Sequence, residues 1–171
     1  MSGMGHYIPL GRFPPLELSL PAGERLPSWF TRQPFAVNLR VFNSSTLFEP
    51  CYTALSKWEE KEYFIKISSA ERAIVELCHL VPTQTDTEEV KFLMQGLRSL
   101  RSQVLQKVLI ECKSVKAKRL FLILAEIMDY SWFEELDISA LDLGRGNRVL
   151  PVEGRIHPRF HITVPDIWTG E

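Results

Sequence analysis

Apolar residues recur at helical spacing through the second half of this chain. The clearest case is the run KSVKAKRLFLILAEIMDY over residues 113–130. There Val115, Ala117, Leu120, Phe121, Ile123, Leu124, Ala125, Ile127 and Met128 leave only a narrow polar stripe. A helix apolar on most of its circumference belongs in the middle of a domain. Ser114 stands where it can cap this helix. Upstream, Ile74, Leu77, Cys78 and Val81 predict a helix over 70–80, with Ser69 as its cap and Pro82 as its stop. Another is predicted over about 86–97, capped by Thr85 or Asp86 and weakened at its end by Gly96 and Ser99. Val104, Leu105, Val108, Leu109 and Cys112 predict a helix over 101–112. The short connections between them imply antiparallel or steeply crossing neighbours.

Alternating patterns flank this helical middle. LELSL (16–20), FAVNLRVF (35–42) and YFIKI (63–67) read as strands. Residues 21–29 between the first two read as a loop, with Trp29 and Phe30 anchoring it to the body. Residues 43–62 read as a polar connection that is weakly helical or turn-like. Residues 148–152 and 160–164 read as two strands joined by a turn at 153–158. The fold class is therefore α+β: a mixed sheet from the N-terminal strands and a C-terminal hairpin around a central helical bundle. The chain reads as one domain over 1–171. A strand-like HYIPL at 6–10, with no leading element, gives the opening the look of a domain cut from something longer.

Composition narrows the class without choosing a function. At 171 residues the chain can build one good core. A formal net charge of −1 makes no global demand for nucleic acid or an anionic membrane. Cys51, Cys78 and Cys112 are odd in number and lack CxxC spacing, which points to a reducing cytoplasm and not to a disulfide framework or zinc site. The N-terminus lacks the basic start and apolar core of a secretory signal, and the apolar run 120–125 is too short to span a bilayer.

Charge is patterned locally. Lys113, Lys116, Lys118 and Arg119 crowd the start of the central helix, where cations oppose the helix dipole. Residues 129–142 carry Asp129, Glu134, Glu135, Asp137 and Asp142 without a base. The sign then reverses at Arg145, Arg148, Arg155 and Arg159. Together with Arg72, the residues Lys113, Lys116, Lys118, Arg119, Arg145 and Arg148 are the candidate basic surface, facing DNA phosphates or an acidic partner. The alternative is that these side chains lie over the core with their charges in water, or pair with the acidic 129–142 segment.

Catalytic patterns are thin. The apolar run into Glu111-Cys112-Lys113 resembles the Glu-x-Lys of metal-dependent nucleases, in which the carboxylate holds Mg²⁺ and the lysine assists water. That chemistry needs a strand, which would aim Glu111 and Lys113 to one face; a helix would make them diverge. Gly144-Arg145-Gly146 is a basic loop that could meet phosphate through its backbone N–H groups, yet it lacks P-loop spacing and reads as a surface turn. His6, His79, His157 and His161 show no ligand spacing. Nothing calls for a metal or cofactor, or for an enzyme.

Longer segments carry a resemblance. GMGHYIPLG (3–11), RLPSWF (25–30), IKISSAERAIVELCHLVP (65–82), LMQGLRSLR (93–101), CKSVKAKRLFLILAE (112–126), WFEELDISALDLGRGNRVL (132–150) and FHITVP (160–165) resemble, in order, the C-terminal domain of AbiEi-family antitoxins. The segments SxERAxxEL and SVKxKRLFLxLAE are the most specific. The resemblance implies a non-enzymatic antitoxin and transcriptional regulator of a type IV toxin–antitoxin, abortive-infection system. Such a protein counters a nucleotidyltransferase-like toxin, AbiEii, without a stable complex, and supports autoregulation at operator DNA. In the family a winged helix ahead of this domain binds the operator; none precedes Gly3 here. The resemblance supplies no catalytic residues. Two further readings stay open beside it: a nuclease-like domain using Glu111 and Lys113, and a dimerisation module for a separate DNA reader.

Overall fold

The computed structural model describes residues 15–21, 23–49, 52–60 and 62–168. The strand-like stretch at 6–10, His6 and Cys51 lie outside the described residues. β1 (Leu16–Leu20) runs parallel to β2 (Leu39–Asn43), with Leu16 opposite Leu39 and Leu18 opposite Val41. The chain crosses between them through a single helical turn, α1 (Ser28–Thr31). The alternation predicts a strand from residue 35, but Phe35 N donates to Gln33 O at 3.0 Å. That tight turn curls the backbone and delays the ladder to Leu39. Trp29, expected as an anchor, is 63% exposed; Phe30 packs instead on Phe35, with ring centroids 4.7 Å apart.

β3 (Leu55–Glu60) and β4 (Tyr63–Ser68) form an antiparallel hairpin in which Trp58 faces Ile65 and Lys57 faces Lys66. β3 falls in the stretch read as a polar connection. Its sequence, LSKWEE, sets Lys57 and Glu59 in alternation with Ser56 and Trp58, so no apolar period of two stands out; pairing with β4 imposes the strand. Ala54, at φ 57°, turns the chain into β3, and its carbonyl accepts the N–H of Ser69 at 2.9 Å.

The helices follow the apolar spacing. α2 (Ala70–Leu80) begins at Ser69, although that side chain makes no capping hydrogen bond. α3 (Thr87–Gln95) is capped by Asp86, whose carboxylate accepts from Glu88 N at 2.8 Å. α4 (Ser102–Glu111) leads to α5 (Val115–Met128), where Ser114 Oγ accepts from Ala117 N at 3.2 Å. α5 is the axis of the core: Leu120 to Ala125 are all fully buried, and it packs on α2 and α3. Asp129, at φ 51°, ends it in the left-handed conformation. A helical turn, α6 (Ser131–Glu134), then seats Trp132 against Phe121, with ring centroids 6.0 Å apart.

The C-terminal segment closes over α5 and α3. Its hairpin is displaced from the predicted one: β5 (Gly154–Ile156) pairs with β6 (Thr163–Pro165), and Arg148 makes only an isolated parallel bridge to Ile162. Pro151 has no N–H to give a ladder, which breaks the predicted strand at 148–152. Gly154 sits where a Cβ would come within 1.9 Å of Val164 O, so only glycine lets the two strands approach. Trp168 Nε1 donates to Glu88 at 2.8 Å and fastens the end to α3. The class is α+β. Among the described residues, however, the strands make three separate two-stranded pairs and no single mixed sheet.

Candidate anion-contacting surface

The start of α5 carries most of the predicted cations, and the structure sorts them into two groups. Arg72, Lys118 and Arg119 are interior side chains, each at most 2% exposed. This corrects the expectation that all seven line a surface. Arg72 on α2 donates to Glu76 at 2.7 Å and to Thr53 O at 2.9 Å, and lies over the Phe48 ring. Burial pushes the Cys112 thiol above its ordinary pKa, against the opposing pull of its backbone hydrogen bond at Ser114 and then of the Lys118 charge.

Arg119 is the most heavily engaged. Its Nε donates to Leu143 O at 2.9 Å, Nη1 to Gly146 O at 2.6 Å and His161 O at 2.8 Å, and Nη2 to Gly144 O at 3.2 Å. A guanidinium has five donors in a rigid fork, so it can hold several carbonyls that one ammonium could not. Burial, then the nearby Arg148 charge, holds its pKa below the ordinary arginine value.

Lys116 is half-way between the groups. Its Nζ donates to the carbonyls of His79 and Val81, closing the end of α2. Desolvation lowers its pKa. Lys113 is exposed and paired, with Glu49 at 2.5 Å and Ser45 O at 3.2 Å. The Lys113 hydrogen bond, then its charge, lowers the Glu49 pKa.

Arg145 and Arg148 are exposed. They stand on the loop that Arg119 grips, and that loop rests on α5: a Cβ on Gly144 would lie 3.1 Å from Val115 Cγ2. Neither has a carboxylate partner among the described residues. Three carboxylates of the acidic segment are occupied elsewhere. Asp137 caps Ser139 and Ala140, Asp142 accepts from Gly144 N, and Glu135 accepts from Ser102. Lys113 thus stands exposed just before the α5 cap, Arg145 and Arg148 stand exposed on the loop that rests on Val115, and Arg72 lies apart on α2.

The Glu-x-Lys arrangement is not assembled. Residues 102–111 are helical, so Glu111 and Lys113 do not share a strand face. Glu111 Oε2 is buried without a hydrogen-bond partner, and Lys113 turns to Glu49. No cluster of metal-ligating side chains occurs among the described residues.

A second exposed feature escapes sequence reasoning. The β3–β4 hairpin leaves Trp58, Tyr63, Phe64 and Ile65 about half-exposed or more, with Lys57 over Phe64 and Lys66 over Tyr52. The signal would have been the pairing of the two strands, which aligns Trp58 with Ile65.

The arrangement offers exposed cations on a loop held against a rigid apolar core. A family model described as transcriptional regulator, AbiEi antitoxin, type IV toxin–antitoxin system matches residues 15–165. The chain belongs to that family. No curated protein and no solved structure gives a significant match. Among the described residues no helix is long and apolar enough to cross a membrane.

Proposed function

We propose that this chain, as one domain over residues 1–171, is a non-enzymatic antitoxin and regulator acting in the cytoplasm. It counters a nucleotidyltransferase-like toxin of the AbiEii type without a stable complex, and it supports repression of its own operon. Its contact with operator DNA runs through Lys113, Arg145 and Arg148. The observation that carries this reading is the pair of exposed, carboxylate-free arginines on a loop fixed by Arg119. Arg72, Lys118 and Arg119 act through the fold, and Lys116 braces α2. No cofactor or metal has a role.

The test is retention of duplex DNA from the chain's own operon. Charge reversal at Arg145 and Arg148 together removes retention, and wild-type affinity falls steeply with salt because phosphate contacts release counterions. Undiminished retention by the folded double variant would refute the assignment. A second reading, a dimerisation module, draws on the exposed hairpin face of Trp58, Tyr63 and Ile65. A sedimentation profile of a monomer at high concentration would exclude it.

A further inference from the structure

The Gly144–Arg148 loop is oriented by its carbonyls. The carbonyls of Gly144 and Gly146 point at Arg119. In a trans peptide the N–H of the next residue points the opposite way. The N–H groups of Arg145 and Asn147 therefore face away from the core. Arg148 Nη1 lies 3.5 Å from Arg145 O and 3.4 Å from Asn147 O, both long contacts that leave it most of its donor capacity. The N–H groups of Arg145, Gly146 and Asn147 have no acceptor among the described residues. Gly144 and Gly146 both have positive φ, 62° and 71°, a conformation that glycine adopts without strain and that lets successive N–H groups converge on an anion.

Electrostatics favours the same occupant. Arg119 Nη1 and the backbone N–H of Arg148 both donate to His161 O, each at 2.8 Å, and neither guanidinium has a carboxylate partner among the described residues. Their mutual repulsion helps to lower the Arg119 pKa. The acid nearest in sequence, Asp142, has one oxygen engaged by Gly144 N at 2.9 Å. An anion on the outer side would offset that repulsion and accept the two outward N–H groups.

We propose that this loop is a binding site for a phosphate oxyanion, held by the N–H groups of Arg145 and Asn147 and the guanidinium groups of Arg145 and Arg148. Arg119 is a positioning residue that sets the backbone and does not touch the ligand. The site deepens the DNA-contacting reading above, and its nucleic-acid source rests on that reading; the phosphate could equally be a free one.

The experiment follows backbone amide resonances of the ¹⁵N-labelled chain. Inorganic phosphate, titrated against chloride at constant ionic strength, shifts Arg145, Gly146 and Asn147 saturably. The Arg145→Ala/Arg148→Ala pair weakens that binding at least tenfold while resonances outside 142–150 stay in place. If short duplex DNA displaces phosphate from the same amides, the source is a nucleic-acid backbone. If phosphate binds and duplex leaves the loop untouched, the site stands and the DNA-contacting reading falls. No saturable shift with either probe, or binding unchanged in the double variant, would overturn the site.

Discussion

Arg119 Nη1 lies 2.8 Å from His161 O, a contact that joins the middle helix to the C-terminal segment across 42 residues of sequence. His161 itself has φ 51°, and its carbonyl also accepts the N–H of Arg148 at 2.8 Å. One buried guanidinium therefore ties α5, the 143–146 loop and the closing strand together. A cation that looks like surface charge is the clasp for the surface beside it.

Removing that clasp exposes its importance. Arg119→Ala leaves several buried carbonyls without donors and should cost on the order of 3–5 kcal/mol. For a domain of this size that lowers Tm by about 10 °C. Arg119→Lys keeps the charge but not the fork, and should fall between the two. Calorimetry of the three proteins checks this; an unchanged Tm for the alanine variant would contradict the assignment. Charge reversal at Arg119 is for the same reason a test of folding and not of a binding surface.

Acid stability should report on Glu71. Burial pushes its carboxyl pKa up, but donation from Arg101 outweighs that and brings it down from 4.5 to about 2. Arg101 supplies Nε at 2.8 Å, Nη2 at 3.0 Å and its backbone N–H at 3.1 Å. A carboxylate whose folded pKa is depressed contributes stability that is complete above its unfolded value. That stability is lost as pH falls from about 4.5 through about 2. Because the Arg101 side chain is 65% exposed, the contribution is discounted to on the order of 2 kcal/mol. Urea midpoints measured from pH 5 down to pH 2 should fall more steeply for wild type than for Glu71→Gln. Parallel curves would show that the pair contributes nothing.

Two glycines should respond unequally to alanine. At Gly154 the added Cβ meets Val164 O at 1.9 Å, so Gly154→Ala must part β5 from β6 and should cost about 2–3 kcal/mol. Gly96, at φ −80°, offers an ordinary contact with Leu93 O at 3.5 Å, so Gly96→Ala should stay within about 0.5 kcal/mol of wild type. Denaturant titrations of both variants decide the point, and equal effects would count against the strand-approach argument.

The helices were legible because their buried positions repeat at 3.6 residues and their ends carry stop and cap residues: Asp86, Ser114 and Pro82 are where the pattern places them. β3 was not legible, because LSKWEE gains its order from β4 across the hairpin and not from its own alternation. The closing hairpin was legible as a hairpin but out of place, since Pro151 ends one run of apolar residues before the strand that actually pairs. At the surface, Arg145 and Arg148 are exposed where the sequence suggested a basic loop. Lys118 and Arg119 are not, and the sign was present: they stand between Ala117 and Leu120 in a helix with almost no polar face, so part of the charge had to go inside.

The most direct measurement is survival of cells expressing the neighbouring toxin gene together with this 171-residue chain. Wild type should rescue, and the soluble, folded Lys113→Glu/Arg145→Glu/Arg148→Glu variant should not. Failure of the folded wild-type chain to rescue, or full rescue by the triple variant, would contradict the proposed function.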